Sequence, residues 1–347
     1  MTALEISVAS LELKNPVIAG PAEHLIDPDN VRRALRTGVG AVVLKSTNES
    51  EAAREQLERA EYAVFDEQWR ALPWGTAPLS ATIATRSGLA RISFEQWLDQ
   101  AVTLDREAKS YDAFVIPSLI VADLDRAVEM ARLVDQAGLR ALELNIGTPY
   151  AREAAKGAVT TEFDPARAKT MVAAVAGAVS LPVFVKLTGQ SERVPDLVEA
   201  SFEGGGAAVI MAGRLLGLIP DVETMRPSLG TSLGVGGFWN LPLTCHWLAL
   251  SRARMGPERP LIGINGAQSG LDVARMMLAG AHAVEIASAV MLRGFKVLSD
   301  AVAEFEAYLV RQKISARELI GRAADERRSF ASLPALQEKW KDYVPRQ

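Results

Sequence analysis

Short apolar segments recur along the chain, and a segment with helical periodicity follows most of them. The first pattern is typical of strands buried on both faces, and the second of amphipathic helices packed over them. The apolar segments begin near residues 17, 41, 113, 141, 182, 207, 260 and 283. Eight such strands alternating with helices predict an α/β fold, a (β/α)8 TIM barrel. A doubly wound sheet is the alternative, but it would leave two similarly buried strands at open edges.

The segments outside this alternation predict additions to the barrel. Residues 4–14 alternate in polarity, which predicts a small N-terminal hairpin. The connections at 49–112, 150–164 and 214–259 exceed ordinary linkers, and connections of that kind tend to be lids or binding loops. No linker or repeat divides the chain, so we expect one domain over 1–347, with a C-terminal extension at 314–347 packed on the barrel. Four apolar residues of this extension have a spacing suited to docking: Phe330, Leu333, Leu336 and Trp340.

Composition narrows the function classes. The chain has 347 residues, of which 49% are hydrophobic and 23% charged, as in globular proteins with a sizeable core. A net charge of −4 gives no electrostatic footprint for nucleic acid or an anionic membrane. The single cysteine, Cys245, excludes an internal disulfide, a cysteine-rich zinc site and a cysteine-ligated iron–sulfur cluster. No secretion signal or membrane-length apolar run is visible, and we expect a cytoplasmic protein.

Polar residues end several of the predicted strands, where barrel enzymes place their active sites. Lys45 and Ser46, Ser118, Asn145 and Lys186 all hold such positions. One lysine could reach water by snorkelling, but two at equivalent strand ends beside Asn145 favour a bound anion or a polarised acceptor.

The last two strands end in small residues, within Ile262–Gly266 and at Ala287–Ser288. Small residues allow backbone N–H groups to approach a phosphate, although an ordinary tight turn is the alternative. We interpret His24, His246 and His282 as structural or solvated. No metal-ligand spacing and no Ser-His-Asp set is evident, so we predict no metal.

A group of short motifs occurs in a fixed order along the chain. They are Lys14-Asn15-Pro16, the segment from Gly38 to Ser46, Glu143-Leu144-Asn145, Val185-Lys186-Leu187, Gly236-Gly237, Ile262 to Gly266 and Ala279-Gly280-Ala281. In combination they resemble the dihydroorotate dehydrogenase family, FMN-dependent barrel enzymes of pyrimidine metabolism. The resemblance runs from about Leu11 to Leu309. It implies hydride transfer between flavin N5 and a carbon next to a carbonyl, and a homodimer.

The resemblance also implies roles for individual residues. The cofactor-binding set would be Ala19, Gly20 and Pro21 at the isoalloxazine, Lys45, Ser46 and Ser118 at ring and ribityl, Asn145, Lys186 near N1 and O2, and Gly236, Gly237, Asn265, Gly266, Ala287 and Ser288 around the phosphate. The catalytic residues would be Thr148, in the position of the family's base, and Lys45. The substrate-binding set would be Thr85, Arg86, Ser87, Asn145, Tyr150, Ala212 and Gly213.

The departures from the family pattern are concentrated around the substrate. Thr148 replaces the usual cysteine or serine, Tyr150 an asparagine, and Ala212-Gly213 an Asn-Ser pair. A site that loses hydrogen-bonding groups binds poorly a ligand that needs them. We therefore expect dihydroorotate, a dihydropyrimidine or a related compound as the small-molecule substrate. An FMN-dependent ene-reductase-like enzyme of a specialised pathway and a non-catalytic flavin-binding homologue are the alternatives.

Overall fold

The computed structural model describes residues 3–75, 77–149 and 151–343. The strands in this part of the chain are β1 (Ile6–Val8), β2 (Leu11–Leu13), β3 (Val17–Ala19), β4 (Ala41–Val43), β5 (Glu61–Phe65), β6 (Ala71–Leu72), β7 (Thr82–Arg86), β8 (Phe114–Ile116), β9 (Ser118–Ile120), β10 (Leu142–Asn145), β11 (Val183–Lys186), β12 (Ala208–Met211), β13 (Leu215–Gly217), β14 (Pro220–Asp221), β15 (Arg226–Pro227), β16 (Leu233–Gly237), β17 (Leu261–Ile264) and β18 (Ala283–Ile286).

The central sheet is parallel and runs in the order β8-β4-β3-β18-β17-β12-β11-β10-β9. Its two end strands, β8 and β9, are halves of one extended segment interrupted at Pro117, so the sheet closes on itself. Proline has no N–H to donate to a ladder, which accounts for the break. With β8 and β9 counted together, the described residues contain the eight barrel strands that the sequence predicts. The predicted (β/α)8 barrel is confirmed.

Side chains alternate between the two faces of each barrel strand. Val42, Leu144 and Val185 face the surrounding helices, whereas Val43, Phe184 and Ile210 belong to the cluster inside the barrel. The same alternation turns Glu143, Lys186 and Glu285 towards the barrel interior. The antiparallel hairpin of β1 and β2 adds Ile6, Val8, Leu11 and Leu13 to the interior cluster. The hairpin that the sequence predicts therefore forms and packs against the interior core.

The α-helices of the described residues are α1 (Pro28–Leu35), α2 (Glu51–Glu55), α3 (Phe94–Ala108), α4 (Leu124–Gln136), α5 (Pro165–Ala176), α6 (Val194–Glu203), α7 (Leu241–Met255), α8 (Gly270–Leu278), α9 (Ser288–Arg293), α10 (Lys296–Gln312), α11 (Ala316–Leu319) and α12 (Arg322–Asp325). Most occupy the segments with helical periodicity. Three lie inside the connections that we read as loops: α2, α3 and α7. Ser93 and Gln96 form a capping box at the start of α3, a signal that the sequence does carry.

The long connections also build a second sheet, which contributes to the barrel mouth. It is five-stranded and antiparallel, in the order β13-β16-β7-β5-β6. Thr85 of β7 pairs with Gly234 of β16, which joins the connection after β4 to the connection after β12. These connections are thus ordered elements with their own backbone ladder.

The C-terminal extension packs on the barrel only in its first part. Ala316 and Leu319 are buried, and Arg252 of α7 forms a two-bond ion pair with Asp325. The docking expected of Phe330, Leu333, Leu336 and Trp340 is absent, since all four side chains are exposed, Phe330 by 93%. Their spacing does not place them against the barrel because the chain beyond α12 forms only short 3₁₀ turns. In the part of the chain that the structure describes, no helix is long and apolar enough to cross a membrane.

Candidate active site

A cavity of about 1060 Å³, counted out to its open mouth, lies at the C-terminal ends of the barrel strands. Twelve of the predicted site residues line it: Pro21, Lys45, Ser46, Ser87, Asn145, Thr148, Lys186, Gly213, Asn265, Gly266, Ala287 and Ser288. They come from seven barrel strands or the segments that follow them and from the connection after β7. The fold therefore gathers into one space residues that are up to 267 positions apart.

Other predicted site residues lie behind the cavity wall. Ala19 and Ala212 are fully buried in the layer between strands and helices, and Gly20 backs onto Glu285 and Ala287. Ser118 reaches the site indirectly, because its hydroxyl bonds with Ser46 Oγ at 2.8 Å. Tyr150 lies outside the described residues.

Thr85 and Arg86 are also absent from the wall, although the resemblance implied substrate contacts for both. Arg86 donates to the carbonyl of Leu229 and pairs with Glu61, so the second sheet occupies its guanidinium. Thr85 is fully buried and accepts a hydrogen bond from Arg214. Within this loop, Ser87 is the predicted residue that faces the cavity.

Lys186 lies between two buried carboxylates inside the barrel. Its Nζ is 2.7 Å from Glu143 Oε2 and 2.8 Å from Glu285 Oε2. Ser118 donates to the other oxygen of Glu143 at 2.6 Å. Burial alone would lower the pKa of Lys186, but the two carboxylates raise it. Burial raises the pKa of Glu285 well above its ordinary value, against the opposing effect of Lys186.

Lys45 has a different environment, built around Glu23. Glu23 Oε1 accepts from Lys45 Nζ at 3.0 Å, Ser87 Oγ at 2.5 Å and the backbone N–H of Gly88 at 3.1 Å. Burial alone would raise the pKa of Glu23, but Lys45 and Arg214 lower it to about 2. Glu23 is therefore ionised at neutral pH and holds Lys45 in place.

Asn145 and Thr148 occupy the exit of β10. Asn145 Oδ1 accepts from the N–H of Gly147 at 3.0 Å, which fixes the turn after the strand. The carbonyl of Thr148 accepts from Thr161 Oγ1, whereas the Thr148 hydroxyl is buried and has no hydrogen-bond partner among the described residues. Burial of a hydroxyl without a hydrogen-bond partner is costly, and this hydroxyl therefore has bonding capacity for a further group.

The ends of β17 and β18 have the backbone geometry expected of a close approach to a ligand. Asn265 and Gly266 adopt φ values of +70° and +113°. A Cβ on Gly266 would lie 2.4 Å from the backbone nitrogen of Leu241, so only glycine fits there. Neither residue of the predicted Gly236-Gly237 pair lines the cavity: Gly236 faces Asn265 Oδ1, and Gly237 faces Trp239.

Sequence reasoning missed three charged residues of the site: Glu23, Arg214 and Glu285. Glu285 carried a usable signal, since a carboxylate within an otherwise apolar buried strand must have a partner. Glu23 and Arg214 carried none, because both lie in connections whose path depends on the tertiary structure.

The comparisons with known proteins agree with this geometry. The family model described as dihydroorotate dehydrogenase matches residues 77–309. Dihydroorotate dehydrogenase A (fumarate) of Limosilactobacillus reuteri is 27% identical over 82% of this chain and 87% of its own length. The dihydroorotate dehydrogenase B (NAD(+)) catalytic subunits of Methanocaldococcus jannaschii and Pyrococcus horikoshii are 25% and 27% identical. Each of these two matches covers 92% of this chain, and 98% and 97% of the respective relative.

Proposed function

Because this chain belongs to the dihydroorotate dehydrogenase family of oxidoreductases acting on CH–CH groups, we propose that it binds FMN across its barrel mouth. We propose further that it transfers hydride between flavin N5 and a substrate carbon next to a carbonyl. The observation that carries the proposal is the single cavity wall shared by Lys45, Asn145, Thr148, Lys186 and the small residues after β17 and β18.

The residues present fit a flavin mononucleotide. Asn265 and Gly266 offer a backbone turn without side-chain obstruction, and Ala287 and Ser288 lead directly into α9. Backbone N–H groups at such a strand-to-helix turn are ordinary ligands of a phosphate. Asn145 and Lys186, further around the same wall, supply the polar groups that a flavin ring edge requires.

When bound, FMN supplies the hydride-transfer chemistry, and the chain orients the reactants and handles the proton. Thr148 is the residue to which we assign that proton, since Thr148 lines the cavity and its hydroxyl has no hydrogen-bond partner among the described residues. An alcohol without a neighbouring base is a weak general base. Ile83, Leu89 and Met291 give the remaining wall an apolar character that limits the access of water.

The proposed substrate is dihydroorotate, a dihydropyrimidine or a related carbonyl compound. The first test is the absorption spectrum of the purified protein, which should show an oxidised flavin whose released cofactor is FMN. A colourless protein that takes up no FMN would refute the proposal. Two anaerobic experiments then decide the direction of the reaction. Reduction of the flavin by dihydroorotate would favour the oxidative direction, and oxidation of the reduced protein by enones would favour the reductive one.

Thr148 provides the test of catalysis. Because a positioned acid or base contributes about 10²–10⁴-fold, Thr148→Ala should slow flavin reduction by the true substrate by at least about 10²-fold. Thr148→Cys should keep or raise the rate, and FMN content should not change in either variant. Unchanged reduction in Thr148→Ala would exclude the base role. Failure of every candidate substrate to bleach the flavin would favour the non-catalytic homologue.

We also propose a homodimer and a cytoplasmic location, both carried over from the family resemblance. Light scattering coupled to size exclusion, over a range of protein concentrations, tests the dimer. Cell fractionation tests the location.

A further inference from the structure

The cavity wall contains three cations in the described residues, Lys45, Lys186 and Arg214, and they are not equally paired. Lys45 has Glu23, and Lys186 has both Glu143 and Glu285. No carboxylate among the described residues lies within ion-pair distance of Arg214, which donates a hydrogen bond to the neutral hydroxyl of Thr85. A guanidinium carries five N–H donors, so most of this donor capacity remains for a ligand.

The position of Arg214 directs its charge towards the substrate side of the cavity. It follows β12 and Gly213, and its Cγ would lie 3.4 Å from a Cβ on Gly236. From there the side chain turns to Thr85 and acts on Glu23, whose pKa it helps to lower. A Cβ on Gly236 would also lie 2.9 Å from Asn265 Oδ1, so the stem of Arg214 starts beside Asn265, and the guanidinium reaches from there to Thr85 of β7.

Glu23 occupies the neighbouring anion site with a carboxylate of the chain itself. A lysine ammonium, a hydroxyl and a backbone N–H converge on its Oε1 within 3.1 Å. Such a donor set would otherwise bind the carboxylate of a ligand. Since Glu23 already occupies it, an anionic substrate cannot use Lys45, Ser87 and Gly88 unless Glu23 moves.

We propose that Arg214 binds a carboxylate of the substrate, and that Glu23 blocks the alternative site and so fixes the orientation of the substrate. The inference rests on the proposed function and names its substrate class: a carbonyl compound with one carboxylate. Lys45, Arg214 and Glu23 together carry one surplus positive charge. One surplus charge balances a monoanion, whereas a phosphate monoester carries nearly two negative charges. A planar guanidinium also matches a carboxylate with two parallel hydrogen bonds.

The test uses the FMN-loaded protein and ligand pairs that differ in one carboxylate: orotate with uracil, and cinnamate with cinnamamide. Binding is measured by calorimetry and by perturbation of the flavin spectrum. The wild type should prefer the carboxylate in at least one pair. Arg214→Met should weaken binding of the carboxylate ligand by about 10–100-fold, because a charge-assisted pair is lost. Binding of the neutral ligand should not change.

Two further variants complete the design. Arg226→Met removes an exposed arginine from the same connection and should change neither affinity. Glu23→Gln retains the shape of the side chain but leaves Lys45 without its counter-charge, so carboxylate affinity should rise about 10-fold.

The proposal fails if the wild type shows no carboxylate preference, or if Arg214→Met weakens both members of a pair equally. It also fails if Arg214→Met loses FMN, because Arg214 would then hold the cofactor. An absence of FMN in the wild type refutes instead the proposed function, and the FMN content of each protein separates the two failures.

Discussion

Two lysines follow or end barrel strands in similar sequence settings, yet their surroundings have opposite charge balances. Lys45 and Arg214 share one carboxylate, that of Glu23, which leaves a positive surplus. Lys186 has two carboxylates, those of Glu143 and Glu285, which leaves a negative surplus when both are ionised. The raised pKa of Glu285 means that a bound proton removes this surplus. One side therefore accommodates an anion, and the other takes up a proton.

This contrast shows that a lysine at a strand end does not by itself define a positive site. The partner of Lys45 comes from the turn after β3, whereas both partners of Lys186 come from barrel strands. Partners inside the barrel are fixed by strand register and cannot move without disturbing the core. If the proposed flavin lies beside Lys186, its reduced form meets a neutral cluster, and not a negative one, only while Glu285 is protonated.

Replacement of Lys186 should have the largest effect on stability. Lys186→Met leaves two carboxylates buried without their cation, so we expect a loss of about 3–5 kcal/mol in the free energy of unfolding at neutral pH. Urea unfolding measures the loss. Adding Glu143→Gln and Glu285→Gln to Lys186→Met should recover most of it. A single variant as stable as the wild type would show that the charges are not coupled as the distances indicate.

Glu23 tests the cluster with the positive surplus, through the pH dependence of protein stability. Its pKa is about 2 in the folded protein and near 4.5 in the unfolded chain, so the folded state favours the ionised form. The resulting stability is present above pH 4.5 and is lost as the pH falls towards 2, a total of about 3 kcal/mol. Glu23→Gln should therefore be less stable than the wild type at pH 7, and the difference should disappear only below about pH 2.

The control for Glu23 is Glu58→Gln, which removes one member of an exposed pair with Arg91. Exposed pairs contribute about 0–1 kcal/mol, so this variant should follow the wild type at each pH. Acid unfolding curves that remain parallel for Glu23→Gln and the wild type would contradict the lowered pKa of Glu23.

The same contrast explains how much the sequence could predict. Short apolar segments and strand-end polar residues are local patterns. They predict the barrel and bring Lys45, Lys186 and Asn145 to one cavity wall. The five-stranded sheet was not predictable from such patterns, because it pairs β7 with β16, and the paired residues Thr85 and Gly234 are 149 positions apart in the chain. Arg214 and Arg86 look alike in sequence, but tertiary pairing directs Arg86 to Glu61 and leaves Arg214 in the cavity.

The smallest expected effect is that of Glu285→Gln. The folded protein binds a proton at Glu285 more tightly than the unfolded chain, because burial raises its pKa. That contribution to stability is complete below the ordinary pKa of a glutamate and is lost as the pH rises through the raised value. Glutamine does not titrate, so the variant should lose less stability than the wild type between pH 5 and pH 9, by about 1 kcal/mol. Urea midpoints at pH 5, 7 and 9 measure this, with the exposed Glu153→Gln as the control. If the midpoints of Glu285→Gln and the wild type fall in parallel, the proton is not held at Glu285 and the negative surplus around Lys186 persists at neutral pH.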